Sequence, residues 1–180
     1  NISPRSGVLL SESAFQKKEG GIALKETELR NAMRAHGDTV YRLALCRMQN
    51  TPDAEDVYQD VFLSLLRQSE QNWEEGHLKA WLIRTTLTRC ADLHRFRLRR
   101  PALSLETLPD MARPVDDEGR ELWAAVAALP EKQRTVIHLH YYEGYSLDEI
   151  ASLLGVSLSA VKMRMKRGRD ALRDRLEDWS

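Results

Sequence analysis

The stretch Ser146 to Leu176, SLDEIASLLGVSLSAVKMRMKRGRDALRDRL, reads as two helices joined by a tight turn. Ser146 and Glu149 have the spacing of a capping box, in which the serine hydroxyl accepts from a free backbone N–H and the glutamate reaches back. Ile150, Ala151, Leu153 and Leu154 then give a short apolar face. Gly155 falls where the first helix must stop, at a left-handed position that lacks a Cβ penalty. Ser157 is placed to cap the next helix. Leu158, Val161, Met165, Gly168, Leu172 and Leu176 recur at helical spacing as an inner stripe. Lys162, Arg164, Lys166, Arg167, Arg169 and Arg173 lie between them. Ala151 is small enough for two helices to approach closely. An amphipathic hairpin with lysines on its wet face would need neither the glycine nor the caps. Together these features indicate a helix-turn-helix whose basic second helix suits the DNA major groove.

A chain of 180 residues has room for one ordinary domain or two small ones. Its 27 basic and 27 acidic residues cancel, so the overall balance predicts no polyanionic partner. The distribution does. Residues 53–75 are acidic, 84–100 basic, 113–121 acidic and 162–175 basic, a segregation that creates local fields a net charge hides. Cys46 and Cys90 are isolated and lack metal spacing, which points to a reducing, cytoplasmic setting. No apolar run approaches a membrane span and no signal peptide is seen, so membrane insertion is not expected.

Outward from the motif, Arg120 to Leu129 continues as a helix with Leu122, Val126 and Leu129 on one face. Pro130 opens another over Glu131 to Glu143, ended by Gly144. Pro101 to Asp117 holds three prolines among acidic residues and reads as an extended linker. Before it, Leu78 to Arg100 is a long helix, with Leu78, Trp81, Leu82, Thr85, Cys90 and Leu93 inward and its cations outward. His94 and Phe96 are interleaved with those cations, a mixture suited to unpaired nucleic acid, whose bases stack on rings. Gln68 to Gly76 reads as a loop. Thr51 and Pro52 start a helix, threonine as cap and proline in the first turn. Asp53, Glu55 and Asp56 complement its dipole. Val57, Val61 and Leu65 face inward there, whereas Asp56, Gln59 and Asp60 point elsewhere. Ile22 to Met48 reads as one or two helices with a break at His36-Gly37-Asp38. Residues 1–21 lack periodicity and are expected to be a disordered extension or a cloning remnant.

Catalytic chemistry is not indicated. His138 and His140 stand two apart on a helix and face different directions, so they do not make a metal site. No glycine-rich phosphate loop or nucleophile elbow occurs. The chain reads as a non-enzyme without metal or cofactor.

An acidic helix, a basic aromatic helix, a linker and a helix-turn-helix follow in that order. The sequence resembles a small bacterial RNA polymerase sigma factor of the extracytoplasmic-function type. The resemblance rests on the run DAEDVYQDVF from Asp53 to Phe62, on KAWLIR from Lys79 to Arg84 with Asp92 and the run Arg95 to Arg100, and on LPEKQR from Leu129 to Arg134 with YSLDEIA from Tyr145 to Ala151. It implies an all-α chain of two small helical domains, residues 22–100 as sigma region 2 and 119–178 as sigma region 4, joined by a linker over 101–118. It further implies that Asp53, Glu55, Asp56, Gln59 and Asp60 contact core RNA polymerase at the β′ clamp helices. The β flap would be a second docking point on the polymerase. Arg84, Thr88, Asp92, Arg95, Phe96, Arg97, Arg99 and Arg100 would hold the promoter −10 element as its strands part. Ser157, Ser159, Lys162, Met163, Arg164, Lys166 and Arg167 would face the −35 element. An anti-sigma factor is the implied regulator. Thr88 stands where relatives usually carry asparagine, and Met163 where a small polar residue is common. The rival readings are a one-component regulator with a C-terminal helix-turn-helix, which would bind duplex DNA without polymerase, and a recombinase, which would need a nucleophile amid clustered arginines in the N-terminal half.

Overall fold

A computed structural model of the protein describes residues 12–67, 75–99 and 117–177. These form seven α-helices: α1 (Glu12–Met48), α2 (Thr51–Arg67), α3 (Glu75–Arg99), α4 (Asp117–Ala127), α5 (Glu131–Tyr141), α6 (Leu147–Leu154) and α7 (Leu158–Glu177). The expectation of an all-α chain holds across the described residues.

Two local expectations are corrected at the N-terminal end. The helix α1 begins at Glu12, inside the segment set aside as an extension, and runs without a break through His36, Gly37 and Asp38. Gly37 is there for packing. A Cβ on it would stand 3.1 Å from the Tyr58 hydroxyl oxygen, so its absence lets the Tyr58 ring lie against α1. At the start of α2, Asn50 does the capping expected of Thr51. The Asp53 N–H donates to Asn50 Oδ1 at 2.9 Å, and Asn50 Nδ2 donates to Asp53 Oδ2 at 2.8 Å. Gln49, just before, adopts φ 56°, a left-handed value uncommon outside glycine.

Helices α1, α2 and α3 share a core of Val40, Ala44, Val57, Val61, Phe62, Leu82 and Cys90. Helices α5, α6 and α7 share another, built on Val136, Leu139, Ile150, Val161 and Met165. Gly168 brings α7 onto α5, because a Cβ there would sit 3.1 Å from Ile137 Cγ1. Leu122, expected on the inner face of α4, is exposed, while Val126 and Leu129 are buried.

The two helical halves pack against each other in this conformation. Leu43 of α1 and Ile83 and Leu87 of α3 are buried in the same cluster as Leu139 and Ile150. Helix α3 therefore buries two faces, one in each half, where one had been expected. Polar ties cross the same boundary. Arg134 donates from Nε to the Cys46 carbonyl at 2.5 Å, and from Nη1 to the carbonyls of Leu129 at 2.6 Å and Ala127 at 3.0 Å. Gln49 donates to the Ala127 carbonyl as well. Arg47 pairs with Glu131 at 2.5 Å, and Glu143 receives Thr39 at 3.0 Å and Lys79 at 3.3 Å. The expected loop over 68–76 and linker over 101–117 lie largely outside the described residues. Among the described residues, no helix is long and apolar enough to cross a membrane.

Candidate functional site

Helices α2 and α3 run antiparallel and enclose an open groove of about 790 Å³. Asp56, Gln59, Asp60 and Leu63 line it from α2, and Arg89, Arg95, Phe96 and Arg99 from α3. The turns of α2 explain the sorting. Val57 and Val61 point into the core, so Asp56, Gln59 and Asp60 fall on the wet side, with Glu55 exposed beside them. Arg89 fastens one end of the groove, donating to Ser64 Oγ at 3.0 Å.

Asp53 departs from the expected set. It is 2% exposed, and its carboxylate is taken up by Asn50 and by an ion pair with Arg97. It faces the interior, away from the surface that carries Asp56, Gln59 and Asp60. Arg97 departs likewise, since it turns toward α2 to reach Asp53 while its neighbours point outward. The other expected residues of α3 form one exposed stripe. Arg84, Thr88, Asp92, Phe96 and Arg99 follow each other about a turn apart, and Arg95 pairs with Asp92 at 2.5 Å. The Thr88 hydroxyl donates back to the Arg84 carbonyl at 2.9 Å, so it is engaged by its own helix. Phe96 is 46% exposed and Leu98 83%, which leaves apolar surface among the cations. Arg100 lies outside the described residues.

The helix-turn-helix is built as its sequence indicates. Ser146 caps α6 with both arms of the capping box present, and Gly155 ends it at φ 63°. Hydrogen bonds from the Ser146 hydroxyl and backbone N–H hold the Glu149 carboxyl below its ordinary range. Ser157 Oγ accepts from the Ala160 N–H at 3.3 Å and lies 3.0 Å from Ser159 Oγ, which fixes the start of α7. Ala151, Val161, Met165 and Gly168 are buried on the inner face. Ser157, Ser159, Lys162, Met163, Lys166 and Arg167 are exposed, and Arg164 is half-buried. Among the described residues, no ion pair engages Lys162, Lys166 or Arg167, so their charge is available to a polyanion.

Sequence reasoning missed Asn50, Ser64 and Arg89, the polar residues that fasten α2 to its neighbours. Asn50 three residues before Asp53 was the available signal. The Arg89–Ser64 bond joins residues distant in sequence and had none.

A family model described as sigma-70 region 2 matches residues 32–100, and one described as sigma-70, region 4 matches residues 119–172. The ECF RNA polymerase sigma factor SigE of Mycolicibacterium smegmatis is 39% identical over 161 residues. That match takes in 82% of this chain and 61% of SigE, so the chain spans about three-fifths of that relative. The ECF RNA polymerase sigma factor SigM of Mycobacterium tuberculosis is 30% identical over 145 residues, covering 77% of this chain and 72% of SigM. In fold, the chain is similar to the sigma factor RpoE of Bartonella quintana, solved in complex with the anti-sigma factor NepR. The TM-score is 0.65 at 24% identity, over 84% of this chain and 96% of RpoE.

Proposed function

The chain belongs to the extracytoplasmic-function RNA polymerase sigma factors of the sigma-70 family, and from that premise we propose that it is an alternative sigma factor that brings core RNA polymerase to particular promoters. The observation that carries this reading is two exposed surfaces of opposite sign on different elements. Helix α2 presents Glu55, Asp56, Gln59 and Asp60, and α7 presents Lys162, Lys166 and Arg167. The first set meets the β′ clamp helices, and the C-terminal half also docks on the β flap. The second set lies along the −35 major groove, where cations mostly position on phosphate and few side chains specify bases. The exposed stripe of α3 receives the −10 element as it opens. Phe96 offers a stacking face there, and Arg84 and Arg99 offer charge. The residues act as a region 2 domain over 22–100, a linker over 101–118 and a region 4 domain over 119–178. Nucleotide addition belongs to polymerase, so this chain supplies an address and no catalytic group. It works where polymerase works, in the cytoplasm. An anti-sigma factor, like the one bound to RpoE, restrains it.

Straddling a promoter requires the halves to part. A compact chain of 180 residues has a radius of gyration of about 16 Å. The two promoter elements are numbered roughly 25 base pairs apart, about 85 Å of duplex at 3.4 Å per pair. The packed arrangement is therefore the resting one, and the boundary between α1 and α5 opens on engagement.

Run-off transcription with core polymerase on a promoter library tests the function, and transcripts no more specific than those of core alone would refute it. Reversing charge with Asp56→Arg and Gln59→Arg should weaken core-polymerase binding by about 10- to 100-fold, the range for residues central to an interface. The full chain's affinity for −35 duplex DNA should not change, and equal losses in both assays would remove α2 from the polymerase contact. Lys166→Ala should flatten the salt dependence of −35 binding by about one unit of log slope if it neutralises one phosphate. An unchanged slope would take Lys166 out of the interface.

A further inference from the structure

Asp53 and Arg97 were each expected to touch a partner, one polymerase and the other DNA. The structure joins them to each other. Both oxygens of the Asp53 carboxylate are engaged: Oδ2 accepts from Asn50 at 2.8 Å and Oδ1 accepts from Arg97. Asn50 is itself fixed, because its Nδ2 also donates to the Met48 carbonyl at 3.1 Å and its Oδ1 accepts from the Asp53 N–H. The acidic group is thus held rigidly at the first turn of α2. What it grips is the last turn of α3, the part most in need of an anchor. The apolar contacts of α3 with α1 and α2 run from Leu78 to Leu93. Beyond Leu93, Arg95, Phe96, Leu98 and Arg99 are exposed, and Arg97 reaches back to α2.

We propose that Asp53 and Arg97 are positioning residues: their partly buried ion pair holds the end of α3 so that Phe96 and Arg99 stay over the α2–α3 groove, ready for unpaired promoter bases. The inference rests on the reading of α3 as the −10 surface. Its physical content is entropic. A free helix end frays, because its last carbonyls lack intrahelical partners. Each residue left mobile must be ordered when DNA binds, at a cost in backbone entropy. Holding the turn in advance removes that cost from promoter opening. It also gives α2 two separate tasks on two faces, with Asp56 and Gln59 outward for polymerase and Asp53 inward for α3.

The test uses the full chain with core polymerase and a promoter carrying a fluorescent base analogue in its −10 element. Asp53→Asn and Arg97→Ala should each slow strand opening by about tenfold or more, while core affinity stays within about twofold. The double variant should be no worse than either single change, because residues that act as one unit are not additive. Arg97→Lys should restore much of the rate, since it returns a charge that Asp53 can hold. Loss with Arg97→Ala but not with Asp53→Asn would make Arg97 a direct DNA contact and overturn the proposal. Loss of core affinity with Asp53→Asn would overturn it by returning Asp53 to the polymerase interface. Phe96→Ala and Arg99→Ala serve as the separate check on the underlying reading. If they leave opening unchanged while the ion-pair variants slow it, the assignment of the α3 stripe fails. If they slow opening and the ion-pair variants do not, the positioning role alone fails.

Discussion

Replacing Arg134 by alanine is expected to release the C-terminal half from α1, and this should be the largest effect of any single truncation at the boundary. Arg134 is 5% exposed, yet its guanidinium is satisfied by carbonyls from both halves: Cys46 on one side, Ala127 and Leu129 on the other. A buried charge is tolerated only when it is well hydrogen-bonded, and burial does lower the pKa of this group from its ordinary value. Truncation leaves carbonyl oxygens without their donor, at about 1–3 kcal/mol for each that stays dry. Gln49 still serves Ala127, so a total of about 3–5 kcal/mol is expected from the Cys46 and Leu129 carbonyls and the vacated space.

Cys46 reports the outcome. Its thiol is buried under the boundary, with Sγ 3.9 Å from the Arg134 carbonyl, and burial pushes its pKa up to about 11. A free thiol titrates at about 8.5. At pH 8 the packed protein should therefore label slowly with a thiol reagent, and Arg134→Ala should label at one site much faster. A loss of 3 kcal/mol corresponds to a rise in open population on the order of 100-fold. Cys90 lies in the core shared by α1, α2 and α3 but also beside Arg47 of the boundary ion pair, with its pKa pushed up to about 12 by burial. Labelling of neither thiol would mean that Arg134 does not hold the boundary. If the packed state is the resting one, the variant should also engage polymerase and promoter faster.

What was legible in the sequence follows the range of the interactions. The α6–α7 motif was readable to the residue because Ser146, Glu149, Gly155 and Ser157 act on backbone groups within one turn of themselves. The inner stripe of Val161, Met165 and Gly168 was readable because helical periodicity is local too. Gly37 was misread as a break because a glycine inside a helical pattern carries no local sign of what packs on it, and its partner is Tyr58 on the next helix. Asp53 looked like its neighbours Glu55 and Asp56, since all three suit the first turns of a helix. Its burial depends on Arg97, 44 residues away, and nothing in the local pattern separates it. Ile83 and Leu87 were passed over for the same reason, because they face the other half of the chain. The contact surface was inferred from a resemblance in the motif DAED, and a motif cannot say which of its acids turns inward.

His138 supplies the second large effect, and its sign is fixed by burial. The ring is 2% exposed, stacks on Tyr142 at 5.4 Å, and among the described residues has no hydrogen-bond partner at Nε2. Glu143 Oε1 stands 3.8 Å away, too far for a hydrogen bond, and its carboxylate already serves Thr39 and Lys79 across the boundary. Desolvation by burial pushes the pKa of His138 down to about 4; the Glu143 charge opposes this and Arg42 reinforces it. The folded chain therefore keeps the ring neutral, whereas the unfolded chain protonates it near 6.5. Above that pH both states hold a neutral ring and the full stability is present. As pH falls below 6.5 the unfolded state gains a proton that the folded state refuses, so stability declines until pH passes about 4. The decline should reach about 2.5 kcal/mol by pH 4.5. Urea unfolding of the wild type and of His138→Gln, at pH 7.5, 6.0 and 4.5, isolates this contribution from that of the carboxylates. The wild type should lose about 2–3 kcal/mol more than the variant over that interval. Parallel curves would mean that His138 accepts a proton in place, with Glu143 turning to receive it. In that event the folded chain would take up the proton as readily as the unfolded one, and acid would neither tighten nor loosen the boundary through His138.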